Sequence, residues 1–221
     1  MQLDTGRTMS RQSDESSTTG QAAPPRPGLL FVLSAPSGTG KDTVINELKK
    51  EGTDFYVVPS VTTRTPRTGE SEGNPYHFVT RETFERMLAQ NELLEHANVH
   101  GNWYGQPIQP IRDNLRAGRD VLLKIDVQGA ETVRNKVPGA IFIFLVPGSV
   151  EELVQRLTNR QTETDAERKR RLQDAQNELT QQKYYDYVVP NRQGKLAEAV
   201  ISLRAIMLAE HCRTKPRHVT I

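Results

Sequence analysis

The stretch Leu29-Leu30-Phe31-Val32-Leu33-Ser34-Ala35-Pro36-Ser37-Gly38-Thr39-Gly40-Lys41-Asp42-Thr43 decides the fold of this chain. Its apolar start indicates a buried strand, a small glycine-punctuated turn follows, and the polar and apolar spacing after Thr43 indicates a helix. A strand, a tight loop and a helix N-terminus in this order cradle phosphate, because loop N–H groups and the helix dipole attract anions. The sequence therefore predicts a nucleotide-phosphate site, with Lys41 on the β- and γ-phosphate oxygens of a nucleoside triphosphate.

This stretch departs from the generic P-loop pattern at both ends. Ala35 stands where the pattern has glycine, and Asp42 stands where it has the Ser or Thr whose hydroxyl binds magnesium. Thr43 supplies a hydroxyl one residue later. Taken alone, the turn is also compatible with an ordinary strand-to-helix connection, but the flanking strand and helix favour the phosphate site.

Length and composition indicate one domain with a sizeable core. The chain has 221 residues, of which 35% are hydrophobic and 25% charged, and a net charge of +2 gives no indication of nucleic-acid binding. No apolar stretch is long enough to span a membrane, the N-terminus lacks a signal-peptide core, and a lone Cys212 suits a reducing compartment. We expect a cytoplasmic protein without nucleic-acid or membrane partners, and the sequence leaves its oligomeric state open.

Hydropathy and turn residues divide the chain into tails, a core and two inserted regions. Residues 1–27 are polar and end in a proline-rich run, so we expect a disordered tail. Alternating strands and helices predict an α/β core, a parallel sheet with helices on both faces. Residues 60–106 predict a small mixed α/β subdomain, 151–172 a helical lid and 214–221 a C-terminal tail. The core comprises the remaining segments, 28–59, 107–150 and 173–213.

Individual elements follow from apolar periodicity and turn residues. In the mixed subdomain, 93–99 is predicted as a strand and 101–105 as a tight turn. The later core elements are predicted as helix 108–115, strand 121–126, helix 128–135, strand 141–146, helix 165–183, strand 187–189 and helix 196–208.

Two arginines in the mixed subdomain are candidates for a second phosphate site. Arg64 and Arg67 flank a Thr-Pro step that stiffens the turn. Paired guanidiniums suit a phosphate dianion, and the hydroxyls of Tyr76 and Tyr104 can donate to the same group. In isolation the two arginines favour a solvated surface, and the P-loop upstream with the two nearby tyrosines favours the phosphate site.

Further charged residues follow the core strands. Asp126 ends an apolar strand, and the carboxyl ends of parallel strands face the ligand crevice of an α/β sheet. Arg156 and Arg160 share a helix face, and Arg171 lies on the next helix. Close to a triphosphate, such arginines neutralise the transferring phosphoryl group as an arginine finger does. A solvated helix face and a nucleic-acid patch are the alternatives.

With these motifs in order, the chain resembles the guanylate kinases, which phosphorylate GMP with ATP. The resemblance covers about residues 28–211 and implies a P-loop kinase core with ATP as phosphoryl donor and Mg²⁺ as cofactor. Its most specific stretches are 34–41, 62–70, 101–105 and 125–129.

The resemblance also implies a role for each matching residue. Glu95, which by pattern alone is an acid on a wet strand face, would accept two parallel bonds from guanine, a donor pair that adenine lacks. The implied ATP-binding residues are Ala35, Pro36, Ser37, Gly38, Thr39, Gly40, Lys41, Asp42 and Thr43, with Asn191 beside the adenine. The implied GMP-binding residues are Ser60, Arg64, Arg67, Tyr76, Glu95, Tyr104, Gly105, Gln106 and Asp126. The implied catalytic residues are Lys41, Arg64, Arg156, Arg160 and Arg171, and the implied magnesium-binding residues are Thr43 and Asp126.

Three positions depart from the family's usual pattern. Asp42 replaces a hydroxyl residue, and a carboxylate there repels ATP unless it faces magnesium or solvent. Lys124 stands where the family often has an acid, which either weakens water-mediated magnesium binding or adds a phosphate contact. Gln106 replaces a Ser or Thr that helps to read guanine, so more of the selectivity falls to Ser60 and Glu95.

Two other functions are compatible with the same scaffold. One is a kinase with another phosphorylated acceptor, such as a ribose bisphosphate, but a sugar acceptor needs no guanine reader of the kind that Glu95 and Ser60 provide. The other is a non-catalytic module that binds phosphorylated peptides. Such modules tend to lose the P-loop lysine and the lid arginines, whereas Lys41 and Arg156 are present here.

Overall fold

The computed structural model describes residues 27–99, 101–158 and 165–221, and the side chains of 157–169 and 171 are not described. The strands are β1 Leu30–Ser34, β2 Tyr56–Val57, β3 Ser60–Thr62, β4 Ser71–Glu72, β5 Pro75–Phe78, β6 Leu93–Val99, β7 Asn102–Pro107, β8 Val121–Lys124, β9 Ile141–Pro147 and β10 Tyr187–Asn191. The helices are α1 Lys41–Lys50, α2 Arg81–Ala89, α3 Ile108–Arg116, α4 Val127–Lys136, α5 Val150–Thr158, α6 Asp165–Leu179 and α7 Leu196–His211, with a short 3₁₀ helix at Thr180–Tyr184. The predicted tail over 1–27 lies almost entirely outside the described residues.

A parallel five-stranded sheet forms the core, in the order β10-β9-β1-β8-β2. β1 is central, pairing Leu33 with Lys124 of β8 on one side and with Ile143 of β9 on the other. Every residue of β1 is buried. A parallel strand is buried in this way when helices cover both faces of its sheet. The α/β fold class predicted from the sequence is therefore confirmed.

Alternate residues of β1 face two separate apolar cores. Phe31 and Leu33 pack with α1 and α7 on one face of the sheet, whereas Leu30 and Val32 pack with α3 and α4 on the other. The alternation is the two-residue period of a strand. The sheet therefore fixes the carboxyl ends of β1 and β8, where the P-loop and the segment with Asp126 begin.

A second, mixed sheet has the order β4-β5-β3-β7-β6. β3 runs parallel to β5 and antiparallel to β7, and Phe84 of α2 packs on Val61 and Leu93 beneath it. Gly105 lies in β7 where a Cβ would come within 2.8 Å of the Leu93 side chain. Only glycine therefore lets β7 approach this small core so closely.

Two element predictions need correction. The tight turn predicted at 101–105 is wrong, because residues from Asn102 onward form β7 and pair with β6. The left-handed Gly101, with φ of 84°, lies at the reversal just before this strand. The helix predicted over 165–183 ends at Leu179 and continues as a 3₁₀ helix. The Thr180 hydroxyl donates to the Asn177 carbonyl at 2.7 Å, a local bond that competes with regular helix.

The C-terminal segment after α7 lies against the core. Val219 and Ile221 pack on the apolar face formed with α3 and α4, and Arg112 donates to the Ile221 backbone carbonyl at 3.0 Å. Arg217 forms ion pairs with Glu210 and Asp186. Within the described ranges, no helix combines the length and apolar character needed to cross a membrane.

Candidate active site

The loop between β1 and α1 has the geometry of a phosphate cradle. Gly38 and Gly40 have φ of 85° and 93°, left-handed values that favour glycine, and no side chain caps the N-terminus of α1. Lys41 Nζ donates to the Ala35 carbonyl at 2.9 Å. Burial lowers the pKa of the Lys41 ammonium, and nearby carboxylates oppose that shift. The uncapped helix N-terminus and the lysine beside it suit the cradle to an anionic ligand.

Two side chains from outside the loop hold its middle in place. Asn191 Nδ2 and Arg156 Nη1 donate to the Thr39 carbonyl at 2.8 and 3.0 Å. Arg156 Nη2 also donates to the Asn191 carbonyl at 2.9 Å and pairs with Glu152. Asn191, Arg156 and the loop line one cleft of about 580 Å³. The structure thus brings Asn191 and Arg156 to the predicted ATP-binding stretch.

One residue at the loop was missed by sequence reasoning. The Ser37 backbone N–H donates to Glu178 Oε2 of α6 at 3.3 Å, and Glu178 is foremost among the carboxylates that support the charge of Lys41. Burial raises the pKa of Glu178, against the effect of Lys41. A carboxylate here takes a donor that a phosphate oxygen would take. Glu178 lies in a polar stretch of α6 that has no motif, so the sequence does not indicate that this residue contacts the loop.

The predicted acceptor-phosphate residues lie together on the mixed sheet and on the turn that follows β3. Arg64 Nε donates to the Tyr104 hydroxyl at 3.2 Å, and its Nη2 contacts both oxygens of Glu70 at 2.9 and 3.0 Å. The guanidinium lies 5.3 Å from the ring centre of Tyr76. Arg67 is exposed on the same turn, and its backbone N–H donates to Glu70. Arg64 is thus held in one orientation beside two phenols, an arrangement suited to a phosphate dianion.

A buried polar pocket lies in the same sheet. Ser60, Glu95 and Gln106 are each at least nine-tenths buried, and Gln106 Nε2 donates to Ser60 Oγ at 2.6 Å. The Gln106 Oε1 has no hydrogen-bond partner among the residues that the structure describes. Burial, with the nearby Asp126 carboxylate, raises the pKa of Glu95 to about 8, against the effect of Lys136. Glu95 is therefore not an acid on a wet face.

Asp126 lies between the buried polar pocket and the P-loop. It does not end a strand, because β8 stops at Lys124. Asp126 is instead the N-cap of α4, and its Oδ1 accepts from the Gly129 N–H at 2.8 Å. Gly129 lies against Glu95, since a Cβ at this glycine would come within 2.6 Å of Glu95 Oε2. The cap therefore holds one carboxylate between the buried pocket and the P-loop.

Comparison with known proteins decides the family. The family model described as Guanylate kinase matches residues 28–210. The guanylate kinases of Halalkalibacterium halodurans and Bacillus subtilis are each 47% identical, over 84% and 86% of this chain and 90% and 95% of theirs. A crystal structure of guanylate kinase from Anaplasma phagocytophilum covers 86% of this chain and 89% of its own, with a TM-score of 0.71 and 36% identity. The chain belongs to the guanylate kinase family.

The sequence prediction of a guanylate kinase is therefore confirmed, as is its class, a phosphotransferase with ATP and GMP as small-molecule substrates. The roles of individual residues remain predictions. Of the three arginines predicted to belong to a lid, the structure describes the side chain of Arg156. Arg160 lies outside the described residues, and the backbone of Arg171 lies in α6 while its side chain is not described.

Two of the three departures from the guanylate kinase pattern contact each other. Lys124 Nζ lies 2.6 Å from Asp42 Oδ1, so the unusual acid after the P-loop lysine pairs with the unusual base at the end of β8. Their pairing had no signal in the chain, because 82 residues separate them.

The donor set fits a magnesium ion of the kind that guanylate kinases use. Within the described residues, no three His, Cys, Asp or Glu side chains are grouped to hold a metal ion. Mg²⁺ usually keeps several waters and takes one or two protein oxygens in addition to substrate phosphates. Thr43, whose hydroxyl oxygen can bind a metal ion, lines the P-loop cleft. The carboxylate of Asp126 lies close enough to Lys41 to support the charge of its ammonium.

Proposed function

We propose that this chain transfers the γ-phosphoryl group of MgATP to the 5′-phosphate of GMP and dGMP, giving ADP and the nucleoside diphosphate. The observation that carries the proposal is the buried carboxyl of Glu95 in β6. Tyr104, which accepts a hydrogen bond from Arg64, lies in the neighbouring strand β7, and Asp126 lies near Glu95. A carboxyl that can bind a base, close to an arginine and a tyrosine that can bind a phosphate, suits a nucleoside monophosphate. The proposed location is the cytoplasm, without nucleic-acid or membrane partners.

On the donor side, the P-loop residues 35–43 would hold the ATP phosphates. The Ser37 N–H would donate to a phosphate oxygen once Glu178 withdraws, and Lys41 would neutralise charge on the β- and γ-phosphates. Asn191 would hold the loop through its hydrogen bond to the Thr39 carbonyl and would lie beside the adenine. Thr43 and Asp126 would hold Mg²⁺, which would supply further neutralisation of the phosphates when bound.

On the acceptor side, the 5′-phosphate would bind Arg64, Arg67, Tyr76 and Tyr104. Glu95 would accept from the guanine N1–H and exocyclic amine, and adenine lacks that pair of donors. Ser60 and Gln106 would complete the base pocket, in which Gly105 allows the close packing described above. No covalent intermediate is needed, because the acceptor phosphate is itself the nucleophile.

Catalysis would come from positioning and charge neutralisation. The subdomain 60–106 and the lid 151–172 would close over the core and exclude water, which otherwise competes as acceptor. Arg156 would exchange its contact with the Thr39 carbonyl for the transferring phosphoryl group, with Arg160 and Arg171 beside it. The division into core, subdomain and lid is part of this proposal.

The proposal is tested by ADP release from MgATP with GMP, dGMP, AMP, CMP and UMP as alternative acceptors. We expect rapid release with GMP and dGMP and little with AMP. Comparable rates with AMP would contradict the guanine-reading role of Glu95. Binding of GMP without turnover of any acceptor would contradict the kinase activity of this chain and favour a binding module.

A further inference from the structure

The Asp42–Lys124 pair lies between the proposed donor and acceptor sites. Asp42 is the second residue of α1, next to Lys41, and Lys124 is the last residue of β8. The Lys124 ammonium lies 2.6 Å from Asp42 and 5.3 Å from the ring centre of Tyr76. Lys124 is thus the cation that contacts the P-loop on one side and the acceptor-phosphate residues on the other.

Stability does not explain this pair. The side chain of Asp42 is 75% exposed, whereas that of Lys124 is 14% exposed. An ion pair with one partner so exposed contributes little to folding, because water screens the charge. A long lysine side chain can be mostly buried along its methylene groups while its charged ammonium reaches a polar cleft, and the Lys124 side chain is buried to this extent.

The charge of Lys124 reaches both sites. Its ammonium lowers the pKa of Lys41 and acts against the rise that burial gives the pKa of Tyr76. A cation here opposes the negative charge of Asp42, which alone would repel the triphosphate bound next to it. It is also placed within reach of a phosphate held by Arg64, Tyr76 and Tyr104.

We propose that Lys124 is a further acceptor-phosphate residue, and that Asp42 holds it in the absence of acceptor and releases it when the 5′-phosphate arrives. This inference rests on the proposed function. The acceptor phosphate and the Asp42 carboxylate compete for one ammonium. Released from Lys124, the Asp42 carboxylate is an oxygen donor on the P-loop side of the transfer.

Calorimetric titration of GMP and of guanosine, without ATP, tests this competition. Lys124→Gln weakens GMP binding by about 10-fold to 100-fold, the range of one charge-assisted bond, and leaves guanosine binding unchanged. Asp42→Asn tightens GMP binding severalfold, because the ammonium is no longer held. In the double variant, Asp42→Asn has no effect on GMP affinity. Lys50→Gln, on the exposed face of α1, leaves both affinities at the wild-type value.

The two substitutions are expected to change GMP affinity in opposite directions. If the ion pair only stabilised the structure, loss of either partner would have the same effect. Equal GMP affinity in wild type and Lys124→Gln would overturn the inference, as would a loss of guanosine affinity of the same size. Tightening by Asp42→Asn in the Lys124→Gln background would also overturn it, since this indicates general repulsion by Asp42. Wild-type turnover with GMP is measured in parallel, so failure of the proposed function is recognised separately.

Discussion

At the residue scale, the protonation state of Glu95 is the most specific expectation. Burial with Asp126 nearby raises its pKa to about 8, so the carboxyl is mostly protonated at pH 7. Guanine offers two N–H donors, which require the ionised carboxylate as acceptor. GMP binding must therefore release a proton from Glu95, and its affinity must depend on pH.

We predict that GMP binding at pH 7 releases close to one proton, and that affinity rises between about pH 6 and pH 8 and then levels off. Titration calorimetry in buffers of different ionisation enthalpy measures the released proton. Glu95→Gln is the matched control. It binds GMP about 100-fold more weakly, because two charge-assisted bonds are lost. Its affinity does not change between about pH 7 and pH 8, where the 5′-phosphate, with a second pKa of about 6, is already a dianion. Wild-type binding without proton release would show that Glu95 does not meet the base.

The sequence indicates which residues are candidates for the site, but it does not indicate most of the contacts that they make. Lys41, Arg64 and Tyr104 belong to recognisable local motifs, so their roles could be predicted from the chain. Glu178 and the Asp42–Lys124 pair depend on contacts between distant segments that no local pattern encodes. The burial of Glu95 is of the same kind, since it results from α4 packing on β6.

At the element scale, the P-loop needs glycine at position 40 for two reasons, a left-handed backbone and the lack of space for a Cβ. Gly40 has φ of 93°, and a Cβ there would lie 2.9 Å from Asn191 Nδ2, which holds the Thr39 carbonyl. Gly52 has φ of 79° but no atom within 4 Å of the same position. Substitution of Gly52 therefore introduces backbone strain alone, whereas substitution of Gly40 introduces the same strain and also displaces Asn191.

We predict that Gly40→Ala and Gly52→Ala each lower the free energy of unfolding by about 1–2 kcal/mol, the cost of the left-handed conformation. Only Gly40→Ala weakens ATP binding, by about 10-fold or more, because Asn191 is pushed from the loop. Denaturant unfolding and titration with a non-hydrolysable ATP analogue measure the two effects. Equal ATP affinity in the two variants would mean that the Asn191 contact does not shape the cradle.

The helices and strands were more predictable than their ends. β1, α3 and β9 follow from strong apolar patterns that agree with burial on a parallel sheet. The turn expected at 101–105 failed because its glycine and asparagine signals do not reveal that β7 pairs with β6. Strand pairing outweighs local turn preference where a partner strand is present.

At the scale of the whole molecule, the C-terminal segment is tied to the core by a buried charge. Glu210 of α7 is 2% exposed and accepts from Arg217 Nε at 3.0 Å and from the Tyr187 hydroxyl at 2.7 Å. Arg213 also lies near Glu210, but at 3.6 Å and with its side chain 46% exposed. Arg217 is therefore the principal cation partner of Glu210.

We predict that Arg217→Gln lowers the free energy of unfolding by about 2 kcal/mol, because Glu210 then lacks its main partner. Arg213→Gln changes it by less than about 0.5 kcal/mol, as expected of an exposed pair. Urea denaturation measures both, and turnover at 25 °C stays at the wild-type value in each variant. Equal stability of the two variants would show that the C-terminal segment does not anchor α7.

The central claim is transfer of the γ-phosphoryl group of bound ATP to bound GMP, and γ-labelled ATP tests it most directly. Purified protein is incubated with labelled MgATP and GMP, and the label is traced to GDP or to free phosphate. We predict that labelled GDP accounts for nearly all of the released label, and that Lys41→Met abolishes its formation. Label found mainly as free phosphate, or unchanged ATP in the presence of bound GMP, would contradict the claim.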